Sequence, residues 1–255
     1  MQLFSLTDSR AAHRRITKAF AEWRSCMKIL LDNTGRNPSK VWMDIPKITN
    51  FCVNTTDVRR IKLTLLVNGD EVKRGIISNG SEFFGADPVT TTNAHIFGRI
   101  GKFFPVAVSN LSGLSYSTIR ADNGSYVKRT VAHVHLATFL TQMVNRTRID
   151  NLLMDNEGPE YDLIPMITID NVLPEKNIVI CQMNVEFHNW VSKGRPCLPN
   201  VMSGMLQQGR YAHTMFMNTD RLVKIDCEDC GRKYSDTGDD VAKENFSDSP
   251  ILKLL

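Results

Sequence analysis

The 255-residue sequence lacks any long hydrophobic run, and it lacks the short motifs that mark common enzyme sites. No stretch approaches the roughly 18–20 apolar residues that a membrane-spanning helix needs. The opening residues, MQLFSLTDSR, have neither the charged start nor the apolar run of a secretory signal. We find no glycine-rich phosphate loop, GxSxG elbow, HExxH pair or dinucleotide fingerprint. These absences argue against a membrane-spanning protein and against the enzyme classes that such motifs define.

Cysteine is also sparse, with six residues scattered along the chain. This pattern lacks the density of a secreted disulfide scaffold, so we expect reduced cysteines and an intracellular protein, located in the host cytoplasm and in the virion if viral, and not secreted. Cys227 and Cys230 form a C-x-x-C-G segment with the shape of a zinc knuckle, which makes them candidate ligands of a structural zinc. No second C-x-x-C exists, so a reduced pair without metal is the alternative. We expect no other cofactor.

Charge is distributed unevenly along a chain of ordinary globular composition, 42% hydrophobic and 23% charged, with a net charge of +4. Residues 1–40 carry eight Lys or Arg against three Asp or Glu, whereas residues 226–255 carry four against eight. A basic head and an acidic tail indicate terminal segments with partners of opposite sign. We expect an N-terminal arm at 1–39, a β-rich core at 40–222 and a mobile acidic tail at 223–255.

The basic head has the pattern of one long amphipathic helix, residues 9–35. Its apolar arc includes Ile16, Phe20 and Trp23, and basic residues occupy the opposite arc. Asp8 and Ser9 are suitable N-cap residues, and Gly35 followed by Pro38 is a stop signal. The apolar arc predicts packing against the body of the protein. The basic arc has few acidic residues to pair with, which favours a polyanion partner.

Further basic pairs lie near predicted turns, where they form either ordinary solvated surface or part of a phosphate-binding surface. Aromatic residues are not interleaved with them, so we expect contacts to a nucleic-acid backbone, RNA above all, and not to bases. The candidate nucleic-acid-binding residues are Arg10, Arg14, Arg15, Lys18, Arg24, Lys28, Arg59, Arg60, Lys128 and Arg129.

After Pro38 the sequence becomes β-like. The clearest hairpin is predicted at 60–78 around Asn68-Gly69, a dipeptide that favours primed turns. About eight short strands separated by turn signals favour a mainly β protein, an antiparallel β-sandwich or jelly roll, over a βαβ fold. The remaining predicted strands lie at 40–45, 102–109, 114–121, 125–139, 163–169 and 176–190, and the turn residues Asp122-Asn123-Gly124 join 114–121 to 125–139. A short helical or irregular link is expected through Asn151, and a further C-terminal helix is predicted at 198–218.

His133 and His135 lie two residues apart on a predicted strand, so their side chains point the same way, and His188 could add a third metal ligand. That arrangement would fit a metal-dependent, cupin-like enzyme. The pair lacks the glutamate that follows in such barrels, and a polar face beside Arg129 is the simpler interpretation.

These features favour a non-enzymatic, self-associating structural protein, a viral coat or matrix protein whose N-terminal helix binds nucleic-acid phosphates. The likeness to small jelly-roll coat proteins is an analogy of fold and rests on no sequence motif. Three alternatives stay open besides the cupin-like enzyme. The first is a peripheral protein that binds an anionic membrane surface through the same helix. The second is a viral cell-to-cell movement protein. The third is an adaptor that docks through the acidic segment DNEGPEYDLIP, residues 155–165.

Overall fold

The structure is a computed structural model that describes residues 6–35, 37–62, 82–120, 124–156, 158–188, 198–216, 219–224, 235–236 and 250–254. The chain divides into two compact units. We call residues 1–66 with 191–244 the helical unit, and residues 67–190 with 245–255 the sheet unit. The boundaries expected at residues 39 and 222 stay a prediction.

In the helical unit, helices α1 and α2 contact each other, and both also contact helix α6 and strand β9. Strands β9 and β10 form an antiparallel hairpin, and the short strand β1 pairs antiparallel with β11. The elements are α1 (Leu6–Asn33), α2 (Pro38–Thr55), a 3-10 turn (Asp57–Arg60), β1 (Ile61–Lys62), α6 (Leu198–Gln208), β9 (Tyr211–Phe216), β10 (Thr219–Lys224) and β11 (Ser235–Asp236).

Helix α1 confirms the predicted amphipathic helix. The side chains of Phe20, Trp23 and Met27 on its apolar arc are at most 1% exposed. The helix begins at Leu6, ahead of the predicted caps. At its end the N–H of Gly35 bonds to the carbonyl of Asp32, and the φ of +66° at Gly35 suits a residue without a Cβ.

Helix α2 corrects the strand predicted at 40–45. Asn37 caps the helix by accepting a hydrogen bond from Lys40 N at 3.0 Å, and Pro38 occupies the first helical turn. Pro38 therefore starts a helix, although the sequence pattern indicated only the end of one. The buried residues recur at helical spacing, which the mixed apolar and polar run from 40 to 45 is too short to reveal. They are Val41, Ile45, Ile48, Thr49 and Cys52.

A disulfide between Cys26 and Cys52 joins α1 to α2, with a Cα–Cα distance of 5.7 Å. Cys181 in the sheet unit is also disulfide-bonded. The expectation of reduced cysteines is therefore wrong for these three residues. Sequence spacing did not reveal the Cys26–Cys52 pair, because its partners lie 26 residues apart on separate helices that the fold brings together.

In the sheet unit, five parallel strands are arranged in the order β3-β2-β12-β7-β8. The last described strand of the chain, β12, lies between β2 and β7, and Leu252 and Leu254 on it are fully buried. The elements are β2 (Glu82–Ala86), α3 (Thr90–Phe97), β3 (Lys102–Phe104), β4 (Ala107–Ser109), β5 (Gly113–Arg120), β6 (Tyr126–His135), α4 (Leu136–Thr138) with a π-helical continuation (Phe139–Val144), β7 (Arg148–Met154), α5 (Glu160–Thr168), a 3-10 turn (Pro174–Lys176), β8 (Val179–Val185) and β12 (Pro250–Leu254).

A separate three-stranded sheet, β4-β6-β5, confirms the hairpin predicted across Gly124, since β5 and β6 pair antiparallel. The single strand predicted at 102–109 is two strands, β3 and β4, in different sheets. Pro105, which cannot donate to a sheet, separates them. Of the hairpin predicted at 60–78, only β1 lies within the described residues.

The antiparallel sandwich or jelly roll is wrong, because the main sheet of the sheet unit is parallel and β7-α5-β8 is a βαβ unit. Residues 163–169, predicted as a strand, lie largely in α5, and residues 148–154, where a short helical or irregular link was predicted, form β7. Parallel strands are covered on both faces, so their burial runs continuously instead of alternating. Helix α5 is also buried almost all round. Without a period, a buried strand and a buried helix look alike in sequence.

The C-terminal helix predicted at 198–218 is confirmed over its first half, as α6. It ends before Gly209, whose φ of +65° is in the left-handed region, and the chain then forms β9. The last residues of the segment expected to be a mobile tail, Pro250–Leu254, form β12.

Candidate active site

Polar side chains follow three of the parallel strands at the point where each strand ends. Asp87 follows β2, Asp155 and Asn156 follow β7, and Glu186 and His188 follow β8. The carboxyl ends of parallel strands lie at one edge of a sheet, and ligands of open α/β sheets bind at that edge. This edge of the sheet unit is therefore the candidate site.

Glu160, in the first turn of α5, is the most buried ionisable residue of this site, with a side chain that is 0% exposed. Its Oε2 accepts a hydrogen bond from Gly158 N at 2.6 Å. Its Oε1 lies 2.8 Å from His188 N and 3.0 Å from His188 Nδ1. The carboxyl oxygens of Glu160 thus accept hydrogen bonds from its own loop and from the residues after β8, as a buried polar group requires.

His188 is held on both its backbone and its ring. Besides the bonds to Glu160, its carbonyl oxygen accepts a hydrogen bond from Tyr161 Oη at 2.7 Å. A carboxylate at Nδ1 stabilises the tautomer with its proton on that nitrogen, which leaves Nε2 as the acceptor. The fold therefore presents His188 Nε2 in a defined orientation.

Two carboxylates converge on that nitrogen. His188 Nε2 lies 3.6 Å from Asp155 Oδ1 and 4.0 Å from Glu186 Oε1, and ligand atoms of the three residues lie within 4.8 Å of one another. We call Asp155, Glu186 and His188 the carboxylate–imidazole cluster. The side chains of Glu160, His188 and Glu186 are 0%, 21% and 53% exposed, so the site extends from the interior to solvent. Such a cluster can accept protons or hold a cation.

Asp87 and Asn156 supply two further polar groups at the same edge. Asp87 is 5% exposed, and its Oδ1 accepts a hydrogen bond from Val89 N at 2.6 Å. Asn156 has a buried side-chain oxygen that finds no hydrogen-bond partner among the described residues. A buried acceptor without a donor is costly in a protein interior, so a ligand donor at this position would stabilise it.

The sequence interpretation missed Asp155, Asn156, Glu160 and Glu186 as site residues. A signal was present, because the segment DNEGPEYD is acidic and begins at Asp155, where a buried strand ends. Without a predicted strand before it, this acidic segment indicates only a docking surface. Glu186 lay within the long strand predicted at 176–190, where no such end was visible.

The predicted metal ligands are arranged differently from the expectation. Among the described residues, the possible metal-ligand cluster with His188 contains Asp155 and Glu186, not His133 and His135. His133 Nε2 lies 3.1 Å from Ser117 Oγ, and burial lowers the pKa of its imidazole. His135 Nδ1 caps α4 by accepting a hydrogen bond from Ala137 N at 3.2 Å. The histidine trio of a cupin-like site is not formed.

The predicted zinc ligands, Cys227 and Cys230, lie outside the described residues.

The candidate nucleic-acid-binding residues are spread over several elements. Arg14, Arg15, Lys18 and Lys28 are exposed on α1, where Lys18 lies 3.8 Å from Glu22, and the side chain of Arg10 lies outside the described part. Arg24 donates a hydrogen bond to the carbonyl of Gln207 on α6 at 2.8 Å.

The remaining candidates lie elsewhere in the chain. Arg59 and Arg60 are exposed in the 3-10 turn, where Arg60 lies 3.7 Å from Asp57. Lys128 and Arg129 are exposed on β6. The candidates on α1 share one helix. Binding of RNA or of another polyanion by any of these ten residues stays a prediction. Self-association and contact with a membrane surface also stay predictions. No described helix combines the length and the apolar character that are required to cross a membrane.

Comparison with known proteins identifies the chemistry of this chain. No curated protein and no solved structure matches it. A family model does match, that of the methyltransferase FkbM domain, over residues 12–232. The hypothesis of a non-enzymatic viral coat or matrix protein is therefore wrong, together with its membrane-surface, movement-protein and cupin-like alternatives. The mixed α/β architecture agrees with a Rossmann-like methyltransferase. The chain belongs to the FkbM methyltransferase family, and it is an enzyme that transfers methyl groups.

Proposed function

We propose that the protein transfers a methyl group from S-adenosylmethionine to an oxygen or nitrogen nucleophile held at the carboxyl edge of the parallel sheet. The observation that carries this proposal is the position of Asp87, Asn156 and the carboxylate–imidazole cluster, which directly follow β2, β7 and β8. Nucleotide-like ligands bind at this edge in open α/β sheets. Membership of the family supplies the reaction class.

The residues present fit an adenosine-containing donor. Asp87 offers a buried carboxylate, which is suited to accept hydrogen bonds from ribose hydroxyls. Asn156 offers an amide oxygen that finds no donor among the described residues, and a hydroxyl or amino group of the donor would satisfy it. S-adenosylmethionine supplies a methyl group on a sulfonium sulfur; in the transfer the sulfur–carbon bond breaks, its electron pair stays on sulfur, and the methyl carbon bonds to the nucleophile.

The carboxylate–imidazole cluster provides the acceptor end of the site. An oxygen or nitrogen nucleophile must lose its proton as it is methylated, and groups that hydrogen-bond this proton orient the lone pair. Asp155, Glu186 and His188 each present one atom that can accept a hydrogen bond from the nucleophile, and these three atoms lie within 4.8 Å of one another. Glu160 acts through His188 as a positioning residue, because it fixes the ring and the backbone around it.

The first test is the binding of S-adenosylmethionine to the full chain by calorimetry. Asp87→Asn keeps the oxygen that accepts from Val89 N but removes the charge, and we expect its Kd to rise about tenfold or more, as for loss of a charged hydrogen bond. Glu175→Gln, at an exposed carboxylate in the turn before β8, is the matched control and should bind like the wild type. Absence of binding to the wild type, or equal affinity in both variants, would contradict the proposal.

The disulfides support a second proposal, on location. Disulfides form and persist in oxidising compartments and are rare where glutathione keeps thiols reduced. Cys26, Cys52 and Cys181 are all disulfide-bonded. They favour maturation in an oxidising compartment over the intracellular, reducing location expected from the sequence. Mass spectrometry of the alkylated, unreduced protein from its natural source tests this, since free thiols at Cys26 and Cys52 would contradict it.

A further inference from the structure

We infer that the carboxylate–imidazole cluster, Asp155, Glu186 and His188, binds a divalent metal ion. The three side chains come from the ends of two adjacent parallel strands, β7 and β8, and their ligand atoms lie within 4.8 Å of one another. Two carboxylate oxygens and one imidazole nitrogen make a donor set of the kind that divalent cations accept.

The hydrogen bond from His188 to Glu160 is the second observation that points to a metal. Imidazoles that ligate metals through one nitrogen almost always donate the other N–H to a carboxylate, a carbonyl or water, which fixes the ring and makes the ligand more basic. Here Nδ1 lies 3.0 Å from the fully buried carboxylate of Glu160, and Nε2 is the nitrogen that faces Asp155 and Glu186. The cluster therefore has an inner set of ligands and a supporting shell behind them.

The distances agree with a site that tightens around an ion. Ligand atoms about 2.1 Å from a common octahedral ion are separated by about 3 Å at right angles. His188 Nε2 lies 3.6 Å from Asp155 Oδ1 and 4.0 Å from Glu186 Oε1. Glu186 has a half-exposed side chain that can rotate, so its carboxylate can approach the ion while the buried Glu160 holds the imidazole in place.

The donor set favours Mg²⁺ or Mn²⁺, since carboxylate oxygens are the ligands these hard ions prefer and Mn²⁺ also accepts imidazole. Three protein ligands leave positions of an octahedral ion open for water or substrate. This step rests on the proposed function and changes one part of it, because with the ion bound the three side chains would hold the ion instead of the nucleophile's proton. The acceptor would then be a hydroxyl bound to the ion, and its proton would pass to solvent because the ion lowers its pKa.

The test is a titration of the full chain with Mn²⁺. Calorimetry measures the heat of binding, and electron paramagnetic resonance measures the concentration of free Mn²⁺. We expect one ion per chain. Glu186→Gln should raise the Kd for Mn²⁺ at least tenfold, because it replaces a charged ligand with a neutral amide and its exposed position leaves folding intact. Glu175→Gln makes the same change at an exposed site outside the cluster and should bind Mn²⁺ like the wild type.

Absence of Mn²⁺ binding up to about 1 mM, or equal affinity in the two glutamine variants, would overturn the metal site. Calorimetry with S-adenosylmethionine in EDTA separates this result from a failure of the proposed function. Donor binding without any Mn²⁺ binding overturns the metal site and leaves the methyltransferase proposal standing. One Mn²⁺ per chain that depends on Glu186, without donor binding, supports the metal site and overturns the proposed donor.

Discussion

The helical unit and the sheet unit bury their apolar residues in different patterns. On α1 the buried residues form one stripe, with Phe20, Trp23 and Met27 inside and Ile29 62% exposed. On β8 nearly every residue is buried, including Gln182 and Asn184. A helix that is covered on one side keeps a period in its sequence, whereas a parallel strand that is covered on both faces does not. The pattern that reveals one unit is therefore absent from the other.

Polar residues also differ between the two units. On α1 the Lys18–Glu22 pair is exposed on the helix surface, where such pairs contribute little. In the sheet unit Glu160 is fully buried and accepts hydrogen bonds from Gly158 and His188. A buried carboxyl group needs several well-placed hydrogen-bond donors, and such groups are often found at functional sites. The contrast indicates that chemistry is concentrated at the edge of the sheet.

The largest expected effect tests the stripe of the helical unit. Trp23→Ala should lower the free energy of unfolding by about 3–5 kcal/mol, because it removes a large side chain that is 1% exposed. Ile29→Ala, on the exposed arc of the same helix, should change it by less than about 0.5 kcal/mol. Denaturant unfolding of both variants measures the difference. Equal effects would break the distinction between the two arcs of α1.

A second, smaller effect concerns the covalent link of the helical unit. The double variant Cys26→Ala/Cys52→Ala opens a loop with a sequence separation of 26, and we expect it to lose about 2–4 kcal/mol of stability. Thermal unfolding with and without dithiothreitol measures this loss. Because Cys181 is also disulfide-bonded, the double variant should retain some sensitivity to the reductant. A wild type that melts identically with and without the reductant would contradict a stabilising role of the disulfides.

The smallest effect is a pH dependence in the sheet unit. Burial lowers the pKa of His133 below 6.5, so the folded state binds its proton less readily than the unfolded state. The free energy of unfolding therefore has its full value, as far as His133 is concerned, above pH 6.5. It decreases as pH falls through 6.5 towards the folded-state pKa, because the unfolded state then binds the proton more readily. Urea unfolding between pH 8 and 5 should show a small loss of stability that His133→Gln reduces.

His95→Gln, at an exposed histidine on α3, should retain that loss of stability towards low pH. A loss that is the same in the wild type and in His133→Gln would show that other groups cause it.

The sequence predicted local structure at two places where the period or the turn residues are clear. The stripe through Phe20 and Trp23 predicted α1, and the turn residues ending at Gly124 predicted the β5–β6 hairpin. It failed for β7 and α5, which are both buried without a period. The position of β12 between β2 and β7 was beyond any local pattern, because pairing across so many residues depends on the whole sheet.

The candidate site was visible from the sequence only in fragments. His188 was singled out, and Asp155 and Glu160 were noticed within an acidic segment. Their meeting was not predictable, because it requires β7 and β8 to be adjacent and parallel, so that the residues following both strands lie at one edge.

Local sequence is enough to predict that α1 is amphipathic, that the chain reverses direction between β5 and β6, and which side chains carry ionisable groups. These properties depend on neighbours within a few residues, where helical and strand geometry are regular. The tertiary structure decided that the main sheet of the sheet unit is parallel, that Cys26 bonds Cys52, and that Glu160 orients His188 towards Asp155 and Glu186. Those properties depend on which distant segments pack together, and that choice is made by burial summed over the whole fold.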